Sequence, residues 1–100
     1  MRVISRRELQ DFWTRHPDAE EPLRQWFKTA LAARWRNLMD VRAVYPHADG
    51  VETTHSGILT VFNVCGKKYR LVTRIRYERE LVNVRCVLTH AEYNKGKWRV

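Results

Sequence analysis

A two-layer α+β fold, with an N-terminal helical hairpin packed on an antiparallel β-meander, is what this sequence predicts. Three observations carry that prediction. Apolar residues recur at helical spacing in the first half, alternate with a period of two from Ile58 onward, and give way to a helix-capping signal after the last alternating run. Helices first and strands afterwards segregate into two layers.

The chain has 100 residues, 44% of them apolar, with four tryptophans. That length suits one domain over residues 1–100, since domains commonly run to roughly 100–150 residues. Nineteen Lys and Arg against eleven Asp and Glu give a net charge of +8. Such a balance favours an anionic partner: nucleic acid, an acidic protein or a membrane surface. No apolar run approaches the roughly 18–20 residues of a membrane span, and no long apolar signal region opens the chain. A cytoplasmic protein with no membrane partner is therefore expected. Cys65 and Cys86 form no C-x-x-C pair and are not flanked as nucleophiles, which fits a reducing compartment. His16, His47 and His55 have no partner at ligand spacing, so no metal and no cofactor is expected.

Arg2-Val3-Ile4 reads as an edge strand. Ser5-Arg6-Arg7-Glu8 matches a capping box, and Leu9, Phe12 and Trp13 predict a helix from Arg6 to about His16. Pro17 stops it by disfavouring helical geometry at the preceding residue. Asp18, with Glu20 and Glu21 behind it, reads as the cap of a second helix whose stripe is Leu23, Trp26, Phe27, Ala30 and Leu31. A short third helix is expected between Asn37 and Tyr45, capped by Asp40 and ended by Pro46. His47 to Gly57, with its Gly, Thr and Ser residues, reads as a loop.

Ile58–Cys65, Lys68–Tyr77 and Val82–Leu88 alternate as strands. A two-residue turn at Gly66-Lys67 pairs Val64 with Tyr69, Asn63 with Arg70 and Val61 with Val72. A four-residue turn at Glu78–Leu81 pairs Tyr77 with Val82, Ile75 with Val84, Arg74 with Arg85, and Arg70 with Thr89. One face then carries Phe62, Val64, Tyr69, Leu71, Ile75, Val84, Cys86 and Leu88, to be covered by the helices. The other carries Asn63, Arg70, Arg74, Arg76 and Arg85.

Like charges directly across a strand pair are destabilising, so Arg74 opposite Arg85 points to an anion between them. The competing reading is a solvated face with the guanidinium groups splayed into water. Asn63 and Arg70 on the same face favour the anion, whose oxygens the planar guanidinium fork matches two at a time. Thr89-His90-Ala91-Glu92 is a T-x-x-E capping box that starts a final helical turn. His90 has the side chain suited to acid or base work near neutrality, although a lone His is more often structural. Glu92 either only caps or joins it. Tyr93 is a stacking group, a proton donor or a core residue, and Lys95 a phosphate contact or a solubilising charge.

These segments together resemble the HigB toxins of bacterial toxin–antitoxin pairs. The residues concerned are Arg2-Val3-Ile4-Ser5, His16-Pro17-Asp18-Ala19-Glu20, Trp26-Phe27, Ala43-Val44-Tyr45-Pro46, Val61-Phe62-Asn63-Val64, Lys68-Tyr69-Arg70-Leu71-Val72 and Thr89-His90-Ala91-Glu92-Tyr93. The resemblance implies a RelE-like fold and a metal-independent endoribonuclease that cuts mRNA on the ribosome. It implies a cognate, HigA-like antitoxin with a helix-turn-helix, and an oligomeric toxin–antitoxin complex. It supports Asn63, Lys68, Arg70, His90, Glu92 and Tyr93 as one patch. Two departures stand out: Cys65-Gly66 replaces a frequent Gly-Gly, and Asn94 stands where an acid is frequent.

The function expected is thus an mRNA interferase with His90, Arg70, Glu92 and Tyr93 as catalytic candidates. Asn63, Lys67, Lys68, Arg74, Arg76, Arg85 and Lys95 are the RNA-binding candidates. Arg70, with Arg74 or Arg85, is expected to stabilise the charge of the pentacoordinate phosphorus. The alternatives are a non-catalytic RNA- or DNA-binding domain using the same face, and a module whose partner is an acidic protein.

Overall fold

Strand β1 (Arg2–Ile4) leads into helices α1 (Arg6–Arg15), α2 (Glu20–Ala32) and α3 (Leu38–Val44). Strands β2 (Asp49–Glu52), β3 (Ile58–Val64), β4 (Tyr69–Arg76) and β5 (Leu81–Thr89) follow, and α4 (His90–Lys95) ends the series. This computed structural model describes residues 1–99. The five strands form one mixed sheet in the order β1-β5-β4-β3-β2, with β1 parallel to β5 and the other pairs antiparallel. The expected α+β architecture is thereby present.

The first hairpin has the expected register: Val64 faces Tyr69, Asn63 faces Arg70 and Val61 faces Val72. Its turn closes with the Lys68 amide donating to the Cys65 carbonyl at 3.2 Å. Gly66, at φ +67°, supplies the left-handed geometry that such a turn requires.

The second hairpin departs from expectation twice. It turns through Tyr77–Arg79 and a left-handed Glu80, so Arg76 faces Leu81 and Ile75 faces Val82, not Val84. A β-bulge then intervenes, because Val72 faces Cys86 while Thr73 faces Val84, leaving Arg85 unopposed. Arg74 therefore faces Asn83, not Arg85, and Arg70 faces Leu88, not Thr89. The like-charge cost inferred for an Arg74–Arg85 pair does not arise. An extra residue also swaps the faces beyond it: Val87 is buried in the main core, whereas Cys86 and Leu88 pack on the opposite side.

Three further expectations are corrected. The 47–57 segment contains β2, with Asp49 facing Val61 and Glu52 facing Ile58. Asp49 and Gly50 have poor strand propensity, and pairing with β3 overrides it. Ser5 does not close a capping box, since its left-handed backbone (φ 68°) leaves the side chain without a cap bond. Helix α3 is capped by Asn37, whose Oδ1 accepts from the Asp40 amide at 3.0 Å. The Asp40 carboxylate instead accepts from Arg36 Nε and the Arg36 amide, both at 2.9 Å.

The main core lies between the helices and one sheet face. Leu9, Phe12, Leu23, Trp26 and Val41 meet Phe62, Val64, Leu71, Val82 and Val84 there. Phe62 is its aromatic centre, with ring centroids at 5.4 Å from Trp26 and 5.3 Å from Tyr45. A smaller cluster of Leu59, Val61 and Val72 sits on the other face, joined by Cys86, Leu88, Tyr93 and Trp98. The second face is thus not uniformly basic. Part of it is apolar and roofed by α4 and the turn after it.

Candidate functional site

Asn63 on β3 and Arg70 on β4 are cross-strand neighbours, so their side chains leave the sheet on the same side. Arg70 Nη1 donates to Asn63 Oδ1 at 2.5 Å. The guanidinium carbon of Arg70 lies 5.1 Å from the centroid of the Tyr93 ring, a cation–π contact. Amide and ring together aim the guanidinium while leaving its other donors for an anion.

Tyr93 reaches Arg70 because α4 starts directly at the end of β5. The T-x-x-E box forms as expected: Thr89 Oγ1 accepts from the Glu92 amide at 3.2 Å, and Glu92 Oε1 accepts from the Thr89 amide at 2.9 Å. That bond from the Thr89 backbone is the main cause holding the Glu92 carboxyl below the usual glutamate range. Glu92 is therefore a carboxylate at neutral pH and a weak proton acceptor. His90, the first residue of α4, donates its amide to the Lys68 carbonyl at 3.1 Å and exposes its imidazole. Lys95 is exposed in the last turn.

Trp98 was not among the expected site residues. Its ring stacks on Tyr93 with centroids 4.8 Å apart and planes at 16°, and its Nε1 donates to the Tyr93 carbonyl at 2.9 Å. The fall in regular pattern after Asn94 hides it, because the chain reverses at a left-handed Gly96 (φ 74°). The only signal was an aromatic residue soon after a helix-ending glycine.

Asp18, expected to cap α2, instead holds the start of β4 with its carboxylate. Its Oδ1 accepts from the Tyr69 hydroxyl at 2.7 Å and its Oδ2 from Lys68 Nζ. Phe12, His16 and Tyr69 pack as a ring cluster with centroids 4.4–5.4 Å apart. Tyr69 carried the signal, since a tyrosine on a buried sheet face needs an acceptor for its hydroxyl. The Lys68 bond chiefly, and the Tyr69 bond next, hold the Asp18 carboxyl below its ordinary range. A depressed folded-state value contributes stability that is complete above the ordinary Asp pKa of 3.8 and is lost as pH falls through the folded value. Asp18→Asn should therefore melt lower than the parent at neutral pH, and the two should converge in acid. Thermal melts of both proteins across that range check it, and a constant gap would refute it.

The remaining basic residues divide. Arg85 Nη2 donates to Ser56 Oγ at 3.2 Å, and an Arg74 guanidinium nitrogen lies 3.9 Å from where a Gly57 side chain would begin. Both arginines thus lie against the β2–β3 loop, while Arg70 lies against Asn63 and Tyr93. Arg76 ends β4 half-buried, and Lys67 is exposed in the first hairpin turn. Arg70 is brought into contact with both Asn63 and Tyr93, and Tyr93 shares its short helix with His90, Glu92 and Lys95. Burial pushes the Cys86 thiol up to about 11, so it is no nucleophile at neutral pH. Among the described residues, no three His, Cys, Asp or Glu side chains are grouped to hold a metal ion, and no helix is long and apolar enough to cross a membrane.

Residues 19–96 match the HigB_toxin family, described as the RelE-like toxic component of a toxin-antitoxin system. The chain is 27% identical over 94 residues to the mRNA interferase toxin HigB of Escherichia coli strain K12, covering 94% of this chain and 88% of that protein. The mRNA interferases HigB of Escherichia coli O157:H7 and Shigella flexneri match equally, with the same identity and coverage. A match over most of the chain, on a mixed sheet backed by helices, places this protein in the HigB toxin family, the RelE-like toxic component of a toxin–antitoxin system.

Proposed function

We propose that this chain is an mRNA interferase that cleaves RNA at the face formed by Asn63, Arg70 and α4. The observation that carries this reading is Arg70, a guanidinium fixed by an amide and an aromatic ring, beside a helix that supplies His90. The 2′-oxygen attacks the adjacent phosphorus, and the bond from phosphorus to the 5′-oxygen breaks. A cyclic phosphate and a 5′-hydroxyl result. One proton leaves the attacking hydroxyl and another arrives at the departing oxygen. Arg70 meets the charge that builds on the phosphoryl oxygens, and His90 with Tyr93 handles the protons. Glu92, ionised and bonded to Thr89, is the weaker base of the set. Lys67, Lys95, Arg74, Arg76 and Arg85 supply flanking phosphate contacts, and Lys68 does so while bound to Asp18.

The partners in this reading are mRNA on the cytoplasmic ribosome and a helix-turn-helix antitoxin that silences the toxin. Brief expression in cells, followed by mapping of mRNA 5′ ends, should reveal new ends within coding regions. Co-expression with the product of the neighbouring reading frame should suppress them, and the two proteins should co-purify. A purified chain that binds RNA and ribosomes but leaves mRNA intact would instead establish the non-catalytic binding domain.

A further inference from the structure

Next to Arg70, the turn after α4 frames a second space. Leu88, Glu92, Lys95, Lys97 and Trp98 line an open groove of about 280 Å³. That lies just under the roughly 300 Å³ at which drug-sized pockets begin, the scale of one nucleotide. Leu88 belongs to the smaller apolar cluster and forms an apolar part of the lining. Trp98 forms another, held in place by its stack on Tyr93 and its bond to the Tyr93 carbonyl. The Tyr93 ring contacts both Arg70 and Trp98, and Trp98, with the Arg99 guanidinium carbon 5.8 Å from its ring centroid, is the aromatic residue that lines the groove.

The polar members narrow the ligand. An isolated anion is opposed by Glu92, and an isolated cation by Lys95 and Lys97. A flat ring carrying a donor and flanked by phosphates meets all of them. Glu92 commits Oε1 to the Thr89 amide, and the Thr89 hydroxyl also stabilises the carboxylate, so a base engages through Oε2. A carboxylate oxygen accepts from the exocyclic amine of cytosine, adenine or guanine, whereas uracil has none.

Resting on the reading of this protein as an RNA-cleaving toxin, we propose that the groove is a nucleobase subsite. The base stacks on Trp98 beside Leu88, neighbouring phosphates meet Lys95 and Lys97, and Glu92 Oε2 accepts from the exocyclic amine. Trp98 supplies stacking for any base. Glu92 sets the choice, favouring bases with an exocyclic amine over uracil.

Short fluorescein-labelled oligonucleotides, 2′-O-methylated so that they resist cleavage, test this with the full chain. Oligoadenylate and oligocytidylate should bind about tenfold or more tightly than oligouridylate. Trp98→Leu should weaken the first two by about 5- to 150-fold, the worth of one stacking contact. Its salt dependence should stay unchanged, because the lysines remain. Trp98→Tyr, which keeps a stackable ring, should recover most of the loss. Glu92→Gln should reverse the preference toward uracil: the amide oxygen still accepts from Thr89, and the amide nitrogen turns a donor to the base. Equal binding of all three oligonucleotides by the parent, or an unchanged preference in Glu92→Gln, overturns the subsite and leaves the RNA reading intact. Full affinity in a folded Trp98→Leu does the same. Failure of the parent to bind any of them also overturns the subsite, whereas the RNA reading itself falls only if no new mRNA 5′ ends appear on expression in cells.

Discussion

Arg70→Ala should lower single-turnover cleavage of mRNA by about 10²–10³-fold, the size of one lost donor to a charge that develops in the transition state. The fold should survive. Arg70 is only half-buried, and its main partner, Asn63, is cross-strand and also half-buried. Losing that bond should cost roughly 0.5–1.5 kcal/mol. Arg70→Lys should recover only part of the activity, because a point charge lacks the planar fork that spans two phosphoryl oxygens. Cleavage rates beside thermal melts of both variants check this. If Arg70→Ala cuts within a few-fold of the parent, the guanidinium serves the sheet and not the reaction.

His90→Gln should reduce cleavage by about 10²–10⁴-fold, the usual contribution of a general acid or base. The first turn of α4 leaves the imidazole exposed, and its fixed contact is the backbone bond to Lys68, which Gln retains. Melting temperature and RNA affinity should therefore stay near those of the parent. The bland alternative, a local structural His, predicts roughly 1 kcal/mol of lost stability with cleavage per folded molecule intact. Single-turnover assays on programmed ribosomes separate the two. Activity close to that of the parent would shift the proton work to Tyr93, and Tyr93→Phe is the variant to measure next.

Much of the fold was legible because local and tertiary preferences agree. Leu9-Phe12-Trp13 and Leu23-Trp26-Phe27-Ala30 each define one buried stripe, and both helices form where that period runs. Gly66-Lys67 determines the first hairpin and with it the Asn63–Arg70 pair. The Thr89–Glu92 box is a signal spanning four residues, and it formed as written. Where the signals conflict, the register departs from the simple alternation. Cys86, Val87 and Leu88 are all apolar, and both sheet faces are apolar at that end, so alternation alone does not say which residue points to the helices.

By itself, then, the sequence determined the helical hairpin, the meander, the capped last helix and the Asn63–Arg70 pair. Each of these rests on spacing within a single segment or across a tight turn. Only the tertiary structure decided the bulge at Arg85, the pairing of β2, the Asp18 latch on Lys68 and Tyr69, and the seat of Trp98 on Tyr93. The latch joins residues some fifty positions apart. The bulge depends on how a strand fits its neighbours, and the indole on a chain reversal at Gly96. Such features are set by which surfaces meet when the layers close, and no periodicity within one segment encodes that meeting.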